Sequence, residues 1–329
     1  MSAVPQTSPS TAGFRPINVA YQRTFMAEQL TLGLVVPIEQ YATSAVPTMA
    51  ATPERIELAD RLGFAAVWLR DVPFNVPSFG DAGQIYDPFA YLGLLAGKTT
   101  KIALGVASII LPLRHPAHVA KAAATVDVLS GGRLLLGIAS GDRPDEYPAL
   151  AVDPVVRGQR FKDSYDFIRR VCESQPAFSN AFGTVGHGID LLPKPTAGRL
   201  PLLITGSSQQ SFEWLAEHGD GWMTYPRPAA VQSDYIGMLR GQQGGRQAFD
   251  KPVMEPLYID LVADRGERPK PIHLGFRLGI DALRDYLFER QAIGVNHVAL
   301  NLRFNEADVD WALHELAEHL LPLFPTGEL

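Results

Sequence analysis

Apolar and polar residues alternate along this chain in one recurring order: a short, fully apolar run, then a stretch with helical spacing, then another run. Residues 32–36 are apolar and closed by Pro37, the form of a strand buried on both faces. Thr52-Pro53-Glu54 opens a helix, with a capping hydroxyl, a proline in the first turn and an acid near the positive end. Leu58, Ala59 and Leu62 form its apolar stripe and Gly63 stops it, before the next strand at residues 65–69. The same grammar predicts further strands over 101–111, 133–139, 202–205, 221–225, 256–262 and 295–302. Helices are predicted over 86–99, 116–129, 161–174, 211–218, 229–241, 281–292 and 308–320.

The strands begin near Leu32, Val67, Ala103, Leu134, Leu202, Trp222, Leu257 and His297, each with a helix after it. Such alternation over about 300 residues predicts an α/β fold, a (β/α)8 TIM barrel with loop insertions. The competing open, doubly wound sheet expects a Gly-x-Gly-x-x-Gly turn after the first strand, and none stands there. The barrel domain is expected over 30–329, with insertions near 175–199 and 244–278. Residues 1–13 are Ser/Thr/Pro-rich without period and 14–29 carry scattered aromatics, so 1–29 reads as a disordered tail or a packing arm.

Composition narrows the function. Cys172 is the only cysteine among 329 residues, which excludes an internal disulfide and any cysteine-based zinc or iron–sulfur site. With 29 basic against 35 acidic residues, the net charge of −6 leaves no footprint for nucleic acid or an anionic membrane. The longest apolar run, 102–111, is too short to cross a bilayer, and the opening residues lack a secretory signal. A soluble, cytoplasmic protein is expected.

A barrel of this kind places its chemistry at the carboxyl ends of its strands. There lie Arg70-Asp71, Ala107 to His115, Ser140 to Arg143, Gly206 to Ser208 and Tyr225 to Arg227. In Thr205-Gly206-Ser207-Ser208-Gln209-Gln210-Ser211, a glycine and several hydroxyls join a strand to a helix start, which suits a phosphate. The plainer alternative is that Ser207 or Ser208 only caps the helix. Gly105, Ala107 and Ser108 are small residues in an otherwise bulky strand, so either a flat ligand lies against them or a bulge makes room for a large neighbour. His115 and His118 have no third ligand nearby and read as capping or supporting groups, so no metal is expected. Neither Gly-x-Ser-x-Gly nor a P-loop occurs.

The chain resembles the bacterial luciferase-like flavin-dependent monooxygenases. The resemblance is carried by Leu111-Pro112-Leu113-Arg114-His115-Pro116, running on to Asp127-Val128-Leu129-Ser130-Gly131-Gly132-Arg133, by residues 201–208 with Ala216-Glu217-His218-Gly219-Asp220-Gly221-Trp222, and by Gly294-Val295-Asn296-His297-Val298. It implies a barrel binding FMN, or in one branch a deazaflavin, at the strand carboxyl ends. Gly206, Ser207 and Ser208 would then grip the phosphate. Ala107 and Ser108 would form a third-strand bulge behind the ring, with a non-proline cis peptide, and Ser140 would touch the flavin. The resemblance further implies a small organic substrate with O2, reduced flavin from a separate NAD(P)H:flavin reductase, and a homodimer or higher oligomer. Where relatives carry Glu-His, this chain has Arg70-Asp71, so Arg70, Asp71 and Tyr225 stand as the catalytic candidates in place of a histidine. Arg70 and Asp71 could instead pair with neighbours and organise the loop after them. Arg227, Arg303, Asp142 and Arg143 are the further candidates for shaping the pocket. The alternatives to an FMN-dependent monooxygenase are a deazaflavin-dependent reductase or dehydrogenase, a non-catalytic flavin-binding protein, and a phosphosugar enzyme using residues 206–208.

Overall fold

The computed structural model describes residues 13–186, 188–241 and 250–328. In chain order the strands are β1 (Thr31–Val35), β2 (Ala66–Leu69), β3 (Ala103–Ile110), β4 (Leu134–Ala139), β5 (Phe178–Asn180), β6 (Gly183–Val185), β7 (Leu202–Thr205), β8 (Gly221–Met223), β9 (Val253–Leu261), β10 (Lys270–Ile272), β11 (Gly275–Leu278) and β12 (His297–Asn301). The helices are α1 (Val19–Thr24), α2 (Thr52–Leu62), α3 (Pro88–Lys98), α4 (Pro116–Leu129), α5 (Glu146–Ala149), α6 (Arg157–Val171), α7 (Phe212–His218), α8 (Ala229–Gly241), α9 (Ile280–Ala292) and α10 (Val309–His319).

Strands β1, β2, β3, β4, β7, β8, β9 and β12 run parallel, and pairing of β9 with both β8 and β12 closes the ring. The fold is therefore the expected eight-stranded (β/α)8 TIM barrel. Each strand presents one face inward and one toward the helices, which accounts for its continuous apolar reading. An outer core lies between strands and helices, and an inner one fills the barrel.

The strand expected over 256–262 is β9, which begins three residues earlier, and within the insertion expected over 244–278 β10 and β11 extend the sheet beside it. Glu255 and Pro256 obscured the start of β9, since a buried charge and a residue without an N–H are rare inside a central strand. Glu255 is accommodated because Arg290 of α9 holds both its oxygens, at 2.9 and 2.6 Å. The stretch 175–199 holds the β5–β6 hairpin. Residues 1–12 and 244–249, covered by the tail and insertion readings, lie outside the described residues.

The barrel floor is closed. Helix α1 lies beneath it, with Tyr21 and Phe25 packed into the inner core and Asn18 donating to Asp127 Oδ1 and the Leu134 carbonyl. Above α1, the Trp68 indole N–H donates to His297 Nε2 at 2.9 Å, and His297 Nδ1 meets Thr31 Oγ1 at 2.7 Å. The Thr31 hydroxyl spends its own hydrogen on the Thr24 carbonyl, so His297 carries its proton on Nδ1. These large rings fit only because glycines face them: a Cβ on Gly105 would meet Trp68 at 2.3 Å, and one on Gly33 would meet His297 at 2.6 Å. Of the two readings of the small residues in β3, Gly105 thus makes room for a neighbouring side chain.

Burial drives the His297 pKa down to about 3, so the folded protein keeps the imidazole neutral while the unfolded chain protonates it near 6.5. A histidine depressed in this way stabilises the fold fully above pH ~6.5 and loses that contribution as pH falls toward 3. Urea titrations of the wild type and H297Q at pH 7.5 and 5 are expected to differ in slope, the wild type losing about 2 kcal/mol more than the variant across that interval.

Candidate active site

The carboxyl ends of the strands surround a cavity of about 410 Å3. Its lining mixes apolar side chains, from Val35, Ala107, Ile110, Ala139, Met223 and Met254, with polar groups, several of them buried. That combination suits a small organic ligand or a cofactor ring. All nine site residues expected from the sequence line it: Arg70, Asp71, Ala107, Ser108, Ser140, Gly206, Ser207, Ser208 and Tyr225. Asp142, Arg143 and Arg227 line it as well; Arg303 does not, and acts instead on a loop described below.

On one side, β3 breaks register between Val106 and Ile109, and the Ala107–Ser108 peptide is cis. This bulge turns Ala107 and Ser108 toward the cavity, with the Ser108 hydroxyl bonded to that of Thr205 at the end of β7. The adjoining Gly141 adopts φ +81°, and a Cβ there would strike Ile110 and Tyr147 at 2.8 Å. Ser140 is buried, and its carbonyl accepts from the Tyr147 hydroxyl.

On another side, the turn after β7 holds Gly206, Ser208 and Gln209 at φ +56°, +46° and +61°. Helix α7 starts only at Phe212 and is capped by Ser211, whose Oγ accepts from the Trp214 N–H. The capping alternative for Ser207 and Ser208 therefore fails. Ser208 Oγ donates to the Thr205 carbonyl and braces the turn, while Ser207 stands exposed. The N–H groups of Ser207, Ser208 and Gln209 donate to no acceptor among the described residues, which makes the turn a nest of amide hydrogens suited to an anion. The Trp222 indole donates to the Gly206 carbonyl, and the Arg227 guanidinium, 5.7 Å from the Trp222 ring centre, donates through Nη1 to Thr224 Oγ1 and Gln232 Oε1. The Arg227 carbonyl accepts from Arg290, which ties this corner to the buried Glu255–Arg290 pair.

The charged residues after β2 are committed to partners. Asp71 accepts from Arg114 Nε at 3.0 Å, Arg114 Nη2 at 2.7 Å and the Ile110 N–H at 3.1 Å, and its side chain is 2% exposed. Arg70 pairs with Asp81 at 2.6 Å, and Arg303 reaches the same carboxylate at 3.0 Å while donating to the Ser44 and Gly80 carbonyls. Burial works against a charged Asp81, but Arg70, the Gly83 N–H and Arg303 outweigh it and hold the carboxyl below its usual range. These contacts pin the loop over 72–83. Tyr225 is 58% exposed at the rim.

One lining residue carries no signal in the sequence. Glu146, in the single turn α5, is 2% exposed, and burial, with Asp71 and Asp142 adding to it against Arg143, pushes its carboxyl up to about 7. It sits in the acidic stretch Asp142-Arg143-Pro144-Asp145-Glu146, where any of three carboxylates could have pointed inward. His115 caps α4 by accepting from the Ala117 N–H, and burial raises the Cys172 thiol to about 11, as suits a packing residue. Among the described residues no group of three His, Cys, Asp or Glu is arranged to hold a metal, and no helix is long and apolar enough to cross a membrane.

Known proteins share this architecture. The chain is 31% identical over 200 residues to an uncharacterised protein of Mycobacterium tuberculosis, covering 55% of this chain and 70% of that protein. It is 31% identical over 186 residues to limonene 1,2-monooxygenase of Rhodococcus erythropolis, covering 50% of this chain and 47% of that enzyme. Its fold matches that of an F420-dependent secondary alcohol dehydrogenase with a TM-score of 0.73 at 18% identity, over 90% of this chain and 99% of that one. Residues 30–256, more than half of the chain, match the luciferase-like monooxygenase family: the chain belongs to the luciferase-like monooxygenases, a family of flavin- and F420-dependent oxidoreductases.

Proposed function

We propose that the protein is an FMN-dependent monooxygenase that oxygenates a small organic substrate in the cavity above the barrel. The observation that carries this reading is the pairing, in one cavity, of a turn whose amide hydrogens have no acceptor among the described residues with the small residues Ala107 and Ser108. The nest of Ser207, Ser208 and Gln209, with Arg227 beside it, would hold the phosphate, and Ala107 and Ser108 would back the ring. Reduced FMN, when bound, would supply the electrons that activate dioxygen. The chain's own part is to orient the ring and substrate and to keep water from them, which the apolar lining of Ala107, Ile110, Ala139, Met223 and Met254 serves.

Asp71 and Arg70 are assigned here to positioning. Asp71 joins the ends of β2 and β3 to Arg114, and Arg70 holds the mouth loop through Asp81. The second reading, a deazaflavin-dependent reductase or dehydrogenase, rests on the same nest, because that cofactor also carries a phosphate linked to a tricyclic ring. The limonene monooxygenase relative favours the first reading, and quenching of the fluorescence of each cofactor in parallel titrations tests them.

R227M is expected to weaken FMN binding about 10-fold while leaving riboflavin, which lacks the phosphate, within twofold of wild type, since a hydrogen bond to a charged group contributes ~1.5–3 kcal/mol. Equal losses for both ligands would remove the phosphate assignment. D71N is expected to lower stability by about 1–3 kcal/mol in denaturant titrations, through the weakened Arg114 contacts. An unchanged stability with abolished turnover would return Asp71 to a reacting role.

A further inference from the structure

Strand alternation brings one polar layer to the top of the barrel wall formed by β2, β1, β12 and β9. Residues 66, 68 and 70, residues 254, 256 and 258, and residues 297, 299 and 301 all face inward. The uppermost of each set are Arg70, Tyr258 and Asn301, which line the cavity, with Asn301 in register beside Tyr258. Tyr258 is 9% exposed; its ring packs on Phe304 and His273, and its hydroxyl meets no partner among the described residues. Asn301 is 4% exposed; Oδ1 accepts from the Arg303 backbone N–H at 3.0 Å, and Nδ2 donates to nothing among the described residues. Arg70 holds Asp81 through Nη1 alone, which leaves Nε and Nη2 without an acceptor among the described residues. None of these four atoms is sealed from solvent.

We propose that Arg70, Asn301 and Tyr258 bind the carboxylate of an acidic organic substrate. The Nε–Nη2 edge of a guanidinium is a planar pair of donors that matches two carboxylate oxygens. Their remaining lone pairs accept from Asn301 Nδ2 and from the Tyr258 hydroxyl, which burial keeps protonated by raising its pKa. Charge favours the same ligand. Arg70 and Arg303 share the single Asp81 carboxylate, which also accepts from the Gly83 N–H and the Tyr41 hydroxyl. Asp71, the other acid beside Arg70, is held by Arg114. A neutral hydrocarbon in this place would leave three donor groups unpaired. In the closed ring β9 stands opposite β3 and β12 opposite β4, so a molecule held here extends across the mouth toward Ala107, Ser108 and Ser140. A carboxylate anchor gives the proposed function its substrate class and rests on that reading for the reaction, though not for the binding.

The test titrates benzoate and 2-naphthoate, each against its own amide, into the protein with and without FMN by calorimetry. The wild type is expected to hold at least one carboxylate about 10-fold more tightly than the amide of the same shape. Y258F removes only the hydroxyl and keeps the ring's packing, so it should narrow that preference about 5-fold. N301D keeps the oxygen that the Arg303 N–H needs and sets a negative charge where Nδ2 stands, so it should erase the preference. If the wild type prefers neither carboxylate, or both variants keep the preference, the three donors hold only water and the proposal is overturned. If the variants instead lose FMN affinity while the carboxylate preference survives, the donors belong to the cofactor, and the proposal is overturned while the flavin reading stands. If FMN does not bind, yet the preference appears without it and responds to both substitutions, the carboxylate site stands and the flavin reading fails.

Discussion

The contact between Trp68 and His297 decides where this barrel can be hollow. Eight strands enclose only enough room for side chains, and the rings of Trp68 and His297 take the lower part of it. Gly105 and Gly33 yield the space they need, and α1 seals the floor beneath them. With that end filled, the free volume lies at the carboxyl ends of the strands, where Ala107 and Ser108 rather than large side chains look inward. An apolar floor with one internal hydrogen-bonded chain and an open polar mouth are two halves of one packing solution.

The mouth separates charges that are already satisfied from groups that are not. Asp71 with Arg114, and Asp81 with Nη1 of Arg70 and of Arg303, are closed sets that tie β2, β3 and β12 to the loop over 72–83. The amide hydrogens of the turn after β7 are an open set. Satisfied pairs give the cavity its shape, and unsatisfied groups are what a ligand can still bond to. Asp71 and Glu146 illustrate the contrast. Both are almost wholly buried carboxyls, yet the first accepts from three donors, while burial of the second raises its carboxyl above the usual range.

After β2 this chain carries Arg70-Asp71, and both side chains are paired. Glu146, after β4, is carried on a single helical turn whose tyrosine is anchored to the Ser140 carbonyl, so that Ser140 and Glu146 share one segment. The same economy appears across the cavity, where the buried Glu255–Arg290 pair holds the Arg227 backbone beside the nest.

Periodicity and punctuation determined the barrel by themselves, because a strand buried on both faces and a helix with one apolar stripe are local consequences of residue order. Placement at strand ends was legible too, since topology puts every βα turn at one end; the family resemblance then marked which small residues and serines mattered among them. What tertiary structure alone decided is which partner each group meets. Gly105 and Ser108 look alike as small residues in one strand, yet one makes room for Trp68 and the other faces the cavity. Ser207 and Ser208 were the capping candidates in the sequence, and the backbone path gave that role to Ser211 instead. Asp71 was legible at a strand end while Glu146 was not, and the donors that Asp71 meets, from Ile110 and Arg114, come from residues distant along the chain.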